Sequence, residues 1–286
     1  MSTPASGPGA RGEGGGGSPP LLAIVTALPE ELAPFRRRIS NERATRVLSS
    51  RYFLGQLAGK PVVLTCTGVG RRRADRGVRA LLEAFSVRGL VGAGVAGGLS
   101  PGLSGGEILV GDPVRDASAA LGAPDVSWVE HALRSEGAPR RATLVTVEEL
   151  VWSAEGKASL WRTCSPAQPA AVDLESAAWA RVAAEKGLPY LILRSVLDVA
   201  EEDLPELLAH CQDPDGGLSR AKVVRQALLR PGLVPDLIAL RTRTRSGAER
   251  LAGFVEGFLR EEAAPAPRAG AELSDNTRSR AKAVTS

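Results

Sequence analysis

Aromatic side chains make up only 4% of this 286-residue chain, histidine occurs twice and cysteine three times. Each scarcity excludes a class of chemistry. His131 and His210 leave too little imidazole for a histidine-rich zinc site or a Ser-His-Asp triad. Cys66, Cys164 and Cys211 are widely spaced and odd in number, which gives neither a metal-ligand spacing nor a disulfide framework. No metal site is therefore expected, and no organic cofactor is implied. Free thiols suit a reducing compartment, and the expected location is cytoplasmic. No apolar run approaches the ~20 residues needed to cross a bilayer. The first twenty residues also lack the apolar stretch of a secretory signal.

Charge is moderate. The net value is +4, much of it from Arg36-Arg37-Arg38, Arg71-Arg72-Arg73 and the C-terminal tail. Nothing in that balance requires a nucleic-acid partner, and none is expected. Hydrophobic residues at 43% and charged residues at 24% are ordinary for a globular chain. Ala, Gly, Arg and Leu dominate, as in a gene with a high-GC coding bias.

The chain divides into three stretches. Residues 1–20 are rich in Gly, Pro and Ser and read as a flexible extension, and residues 263–286 read similarly. Residues 21–262 form one domain of alternating strand and helix patterns. Strands are expected at Leu22–Ala27, Arg46–Leu57 (hairpin-like, ending in the turn Ala58-Gly59-Lys60), Val62–Thr67, Arg88–Val95, Glu107–Val110, Thr143–Val147 and Pro189–Val196. Helices are expected from Pro29, over Arg72–Phe85 and Pro124–Ser135, after Glu175, over Ser219–Leu229 and over Val234–Leu259. This order predicts a three-layer α/β/α domain with a central mixed sheet.

Two acids mark where a site would lie. Asp198 stands just past the strand Pro189–Val196, and in open α/β sheets ligands bind beyond the carboxyl ends of strands. Glu175 stands at the start of a helix-like run. Two carboxylates there can divide labour, one giving a proton and one holding a polar substrate. The ordinary readings are a solvated acid capping a turn for Asp198 and a first-turn glutamate favouring the helix dipole for Glu175. The run Gly92-Ala93-Gly94-Val95-Ala96-Gly97 satisfies the dinucleotide-binding pattern, but Leu99-Ser100-Pro101-Gly102 follows it as a turn instead of a helix. Glycines at a strand end still let a ligand approach the backbone.

Four motifs occur in one order: AIVTALPEEL at 23–32, TGVG at 67–70, GAGVAGGLSPGLSGGEILVGD at 92–112 and VDLES…LRSVLD at 172–198. Together they resemble the nucleoside phosphorylase and nucleosidase superfamily, in particular its methylthioadenosine/S-adenosylhomocysteine nucleosidase branch. The stretch from Asp198 through Leu204-Pro205, with Asp213-Pro214-Asp215-Gly216 and a long final helix, also resembles the hopanoid-associated phosphorylases, a subfamily linked to adenine removal from adenosylhopane.

The resemblance implies a purine nucleosidase or phosphorylase that breaks an N-ribosidic bond and releases adenine. It also implies roles for individual residues. Asp198 takes the place of the general acid toward N7 of the leaving purine, and Glu175 that of the carboxylate holding the ribose hydroxyls. Glu31 corresponds to the acid that activates water, although a glutamate after a strand is ordinarily a surface helix residue. Leu174 packs on the sugar, while Leu150 is the nearest match to an aromatic over the purine, with Trp152 close in sequence. Val95 and Gly97, in the glycine-rich stretch 92–98, are the remaining candidate substrate-binding residues. Position 95 departs from the branch, which carries a serine there, and a valine offers no hydroxyl to orient water or phosphate. For phosphorolysis, Thr67, Gly68 and Arg71 are the candidate phosphate-binding residues. Asp173 fits a helix N-cap equally well. Arg194, inside a strand, needs either a site partner or a structural ion pair. The family forms dimers or larger rings, so a homo-oligomer is implied. A nucleoside-binding protein without turnover is the alternative that Val95 and the missing aromatic suggest.

The final helix carries Leu237, Leu240, Leu251, Phe254, Val255 and Phe258 on one side and Arg241, Arg243, Arg245 and Arg250 elsewhere. Such a helix ordinarily packs its apolar stripe on a sheet. The same pattern allows peripheral contact with an anionic membrane.

Overall fold

A computed structural model describes residues 19–116, 123–164, 167–211, 213 and 220–262 of the chain. Residues 1–18 of the expected N-terminal extension, residues 263–286 and the motif Asp213-Pro214-Asp215-Gly216, apart from Asp213, lie outside the described residues. In chain order the elements are β1 (Leu21–Thr26), α1 (Pro29–Arg38), β2 (Ser40–Val47), β3 (Ser50–Leu57), β4 (Lys60–Cys66), α2 (Arg71–Ala84), β5 (Val87–Gly98) and β6 (Ile108–Asp116). They continue with α3 (Val126–Arg134), β7 (Arg140–Thr146), α4 (Ala154–Cys164), β8 (Ala170–Asp173), α5 (Ser176–Glu185) and β9 (Tyr190–Asp198). A 3-10 turn at Glu206–Cys211, α6 (Arg220–Leu229), a second turn at Pro231–Leu233 and α7 (Val234–Glu261) complete the domain.

The strands form one mixed sheet in the order β2-β3-β4-β1-β5-β8-β7-β6-β9, and β9 also pairs with β5. Alternation along β1 shows why it sits at the centre. Leu22 and Ile24 face one apolar cluster with Leu32 and Phe35 of α1 and Leu251 and Val255 of α7. Ala23 and Val25 face the other, with Val78 and Leu81 of α2 and Trp179 and Val182 of α5. A strand covered on both faces needs apolar residues at every position, and β1 has them. The expected α/β/α layering with a mixed sheet is therefore present.

Two local expectations require correction. Arg46–Leu57 is not one strand but parts of two, because the chain reverses at Leu48-Ser49 between β2 and β3. Leu48 holds that reversal at a φ of 53°, a left-handed conformation that a leucine does not advertise in sequence. The strand expected at Glu107–Val110 runs on to Asp116 past a register shift between Gly111 and Val114. Helix α4 and strand β8 carry no expectation from the sequence at all. The weak apolar periodicity of AEGKASLWRTC explains the first omission.

The pairings β5–β8, β8–β7, β7–β6, β6–β9 and β9–β5 also close half of the sheet on itself. At Gly97 and Gly98, β5 pairs with Val172 and Ala171 of β8, at the end of its long parallel pairing with β9, where Gly97 is also in register with Asp198. This junction brings the ends of β5, β8 and β9 to one place.

Candidate active site

Glu31, Val95, Gly97, Leu150, Leu174, Glu175 and Asp198 all line one cleft of about 530 Å³. Its volume suits a small organic ligand. The three candidate phosphate residues, Thr67, Gly68 and Arg71, are not among its lining residues. Arg71 is engaged elsewhere, its guanidinium reaching Asp116 at 3.1 Å and Glu148 at 3.0 Å. Thr67 Oγ1 donates to the Thr26 carbonyl at 3.2 Å and accepts from the Trp179 indole at 3.3 Å.

Glu31 is fixed by the start of α1. Pro29 occupies the first helical turn, where its missing N–H costs nothing. Glu31 then folds back so that Oε2 accepts from the backbone N–H of Ala27 at 3.0 Å and Leu28 at 2.8 Å. Its other oxygen, Oε1, accepts from the Val95 N–H at 2.9 Å. The side chain is 2% exposed, so it is no surface helix residue. Val95 contributes its backbone here, which makes the missing serine hydroxyl irrelevant to holding Glu31. Burial pushes the Glu31 carboxyl up, against the Arg194 charge and the backbone donors that lower it.

Glu175 is the N-cap residue of α5, reached directly from β8. Asp173 at the end of β8 performs the local capping: its Oδ1 accepts from the N–H groups of Glu175 at 3.1 Å and Ser176 at 3.0 Å, and from Thr146 Oγ1 at 2.7 Å. That frees the Glu175 side chain for the cleft. Its Oε1 accepts from the Gly70 N–H at 2.9 Å and its Oε2 from Arg194 at 3.4 Å. Burial raises its carboxyl to about 7, an effect strengthened by the charges of Asp173 and Glu31 and opposed mainly by Arg194.

Arg194 is wholly buried inside β9 and is the hub of this network. Its Nε lies 2.9 Å from Asp173 Oδ2 and donates to Ser176 Oγ at 3.0 Å, and its Nη1 donates to the Val95 carbonyl at 3.3 Å. The guanidinium also stands over the Trp179 ring, 4.8 Å from its centroid. Both alternatives for Arg194 are thus realised, since its ion-pair partners are the site acids. Gly94 leaves the room for it: a Cβ there would run into Arg194 Nη1 and stand 2.8 Å from Glu31 Oε1.

Asp198 ends β9 and is 2% exposed. Its Oδ2 forms an ion pair with Lys157, a lysine of α4 with no exposed surface. Lys157 Nζ also donates to the carbonyls of Val199 at 2.8 Å and Glu202 at 2.6 Å, so all three of its protons have acceptors. Burial raises the Asp198 carboxyl, outweighing the lowering by Lys157. A carboxyl that keeps its proton in a closed cleft can act as a general acid.

Lys157 is the one cation of this cleft's acid network, besides Arg194, and no expectation from the sequence includes it. The available signal was compositional: the chain has five lysines against 31 arginines, so a compact ammonium at 157 is not the default choice. Trp152, the aromatic next to Leu150, packs with Leu204, Leu207 and Leu208 and does not line the cleft. Together the site holds Glu31, Asp173, Glu175 and Asp198 against two cations, Arg194 and Lys157. An excess of buried carboxylate favours a ligand that carries or develops positive charge. Among the described residues, no cluster of His, Cys, Asp and Glu could hold a metal ion.

The 5′-methylthioadenosine/S-adenosylhomocysteine nucleosidase of Shewanella denitrificans is 27% identical over 206 residues, covering 64% of this chain and 88% of that protein. The enzyme of the same name from Anoxybacillus flavithermus is 28% identical over 208 residues, covering 64% and 87%. Among solved structures, the nucleosidase of S. pneumoniae bound to the transition-state inhibitor MT-ImmA superposes with a TM-score of 0.66 at 20% identity, covering 84% of this chain and 98% of that one. The futalosine hydrolase of Helicobacter pylori gives 0.66 at 18% identity, covering 85% and 98%. These structures share the fold. The family model of the phosphorylase superfamily matches residues 21–230, a span that holds every acid of the cleft, and the chain belongs to that superfamily.

Proposed function

We propose that this protein is a purine nucleosidase that hydrolyses the N-ribosidic bond of an adenosine-type nucleoside and releases adenine. The observation that carries this is the gathering of Glu31, Glu175 and Asp198 in one cleft, each buried and each with a raised carboxyl pKa. Asp198 donates its proton to N7, which makes adenine a neutral leaving group as the N9–C1′ bond breaks. Glu175 accepts hydrogen bonds from the ribose hydroxyls and stabilises the positive charge that develops on the sugar. Glu31 takes a proton from the water that attacks C1′. Protons balance: one passes from Asp198 to the base and one from water to Glu31, and exchange with solvent restores both groups.

Hydrolysis is favoured over phosphorolysis by the state of the candidate anion donors. Arg71 is tied to two carboxylates, and the Thr67 hydroxyl already donates to the Thr26 carbonyl. The test is turnover in ¹⁸O-labelled water with phosphate present. Label should enter the sugar product, and formation of unlabelled ribose 1-phosphate would contradict the proposal.

A second reading concerns the 5′ end of the substrate. Past the acids, the cleft continues between Leu204, Leu208, Val223, Leu237 and Ile238. This apolar extension supports a large hydrocarbon at the 5′ position, as in adenosylhopane, whose use by the related hopanoid-associated phosphorylases the C-terminal motifs suggest. A cytoplasmic homo-oligomer fits the three free cysteines and the family habit. Among the described residues no helix is long and apolar enough to cross a membrane.

A further inference from the structure

Helix α7 is two different helices in one. Its C-terminal half buries Leu251, Phe254, Val255 and Phe258 against the sheet and α1, as expected. Its first ten residues, Val234 to Arg243, contain no buried side chain. Leu237 and Leu240 pack on the 3-10 turn beside Leu204 and Leu208, which leaves the neighbouring flank of the helix, with Val234 and Ile238, uncovered. There Ile238 is 60% exposed and Val234 36% exposed, and Leu229 at the end of α6 is 68% exposed. Three of the six large exposed hydrophobic residues of the described chain thus fall within ten positions.

The same segment carries a concentrated charge. Residues 220–250 contain eight Arg and Lys against two acids, Asp236 and Glu249, a balance of +6 where the whole chain has +4. The rest of the protein is therefore net acidic, at −2. Spacing puts Val234, Ile238, Arg241 and Arg245 on one stripe of α7. Arg241 and Arg245 border a groove against Pro34 and Arg37 of α1. Local counter-charges cover part of the basic surface: Glu202 pairs with Arg243, and Glu249 with Arg37 and Arg38. Val234, Ile238 and Arg241 also line the catalytic cleft at its apolar end, so this face is the rim of the mouth.

We propose that this face docks the mouth of the cleft onto an anionic lipid surface. Leu229, Val234 and Ile238 enter the boundary between headgroups and acyl chains, and the surrounding arginines meet lipid phosphates. Charge complementarity selects this occupant. A two-fold contact between copies of the chain would set a +6 segment against another +6 segment. Nucleic acid would leave the exposed aliphatics unused, and residues 220–250 contain no aromatic side chain for a base to stack on. Docking gives an apolar 5′ substituent a route from the bilayer into the cleft without crossing water. That purpose rests on the nucleoside reading, but the docking itself does not.

The test is co-sedimentation of the full chain with substrate-free vesicles, either phosphatidylcholine alone or mixed with phosphatidylglycerol, at physiological and high salt. Binding to the anionic vesicles, weakened by salt and absent on neutral ones, is expected. The double change Leu229→Asp with Arg230→Glu, at exposed positions outside the cleft, should weaken partition by roughly tenfold or more. It should leave turnover of a water-soluble nucleoside intact. Failure of the unaltered chain to bind would overturn the proposal, as would equal binding to neutral vesicles or an unaffected double variant. Tighter binding to duplex DNA or RNA than to vesicles, or self-association abolished by the same substitutions, would also overturn it.

Discussion

Replacing Glu175 by glutamine should make the protein more stable at alkaline pH while removing its activity. Glu175 is 5% exposed and lies within one buried network with Glu31 and Asp173, all facing Arg194. Its carboxyl is raised from an ordinary 4.5 to about 7. The folded state therefore keeps this proton between about pH 4.5 and 7, where the unfolded state has lost it. Stability falls as pH rises through that window and stays lower above it. The shift corresponds to about 3 kcal/mol at pH above 7. Glutamine has the same shape and no charge, but its amide must face one donor, either the Gly70 N–H or Arg194, at a cost of about 1 kcal/mol. The variant should then be about 2 kcal/mol more stable than the parent at pH 8.5 and about 1 kcal/mol less stable at pH 4. Urea denaturation of both proteins at the two pH values measures this difference. An equal destabilisation at both would refute the reasoning, because it would mean that ionised Glu175 is not held at a cost.

Other changes separate the roles of the remaining residues. Asp198→Asn should lower kcat for adenine release by roughly 10²–10⁴ with little change in KM, as measured by steady-state kinetics. Lys157→Met removes the cation beside Asp198, so the alkaline limb of the pH–rate profile should move to higher pH. It should also cost about 3–5 kcal/mol of stability, as for other broken buried pairs, and an unshifted profile would show that Lys157 acts on the fold alone. Gly94→Ala forces a methyl group against Arg194 and Glu31 and should lose about 1–3 kcal/mol in a thermal melt together with most activity.

Much of this site was legible because its residues sit where local patterns change. β1 ends and α1 begins within a few residues of Glu31, and Asp198 closes β9, so these two acids fall at strand ends where ligands bind, while Glu175 shows in sequence only as the start of a helix-like run. The burial of Glu31 was not legible. It depends on the Val95 N–H, 64 positions away, and no pattern around Pro29 encodes that partner. Lys157 was hidden for a similar reason: a lysine in a weakly periodic helix looks solvated until Asp198 and the carbonyls of Val199 and Glu202 are placed around it. The closure of half the sheet rests on the antiparallel contact of Ile108–Val110 with Leu193–Ser195, a long-range pairing with no local signal. The two halves of α7 read as one amphipathic helix in sequence. Only the position of the sheet shows that the first half lies off it, with Leu237 and Leu240 packed on the 3-10 turn instead.

Adenine release is the most direct test of the central claim. The purified full chain would be given 5′-methylthioadenosine, S-adenosylhomocysteine, adenosine and adenosylhopane, each with and without phosphate. Adenine should appear from at least one of them in the absence of phosphate, and Asp198→Asn should nearly abolish it. Binding of these nucleosides without adenine from any of them would contradict the account and leave a nucleoside-binding protein in its place.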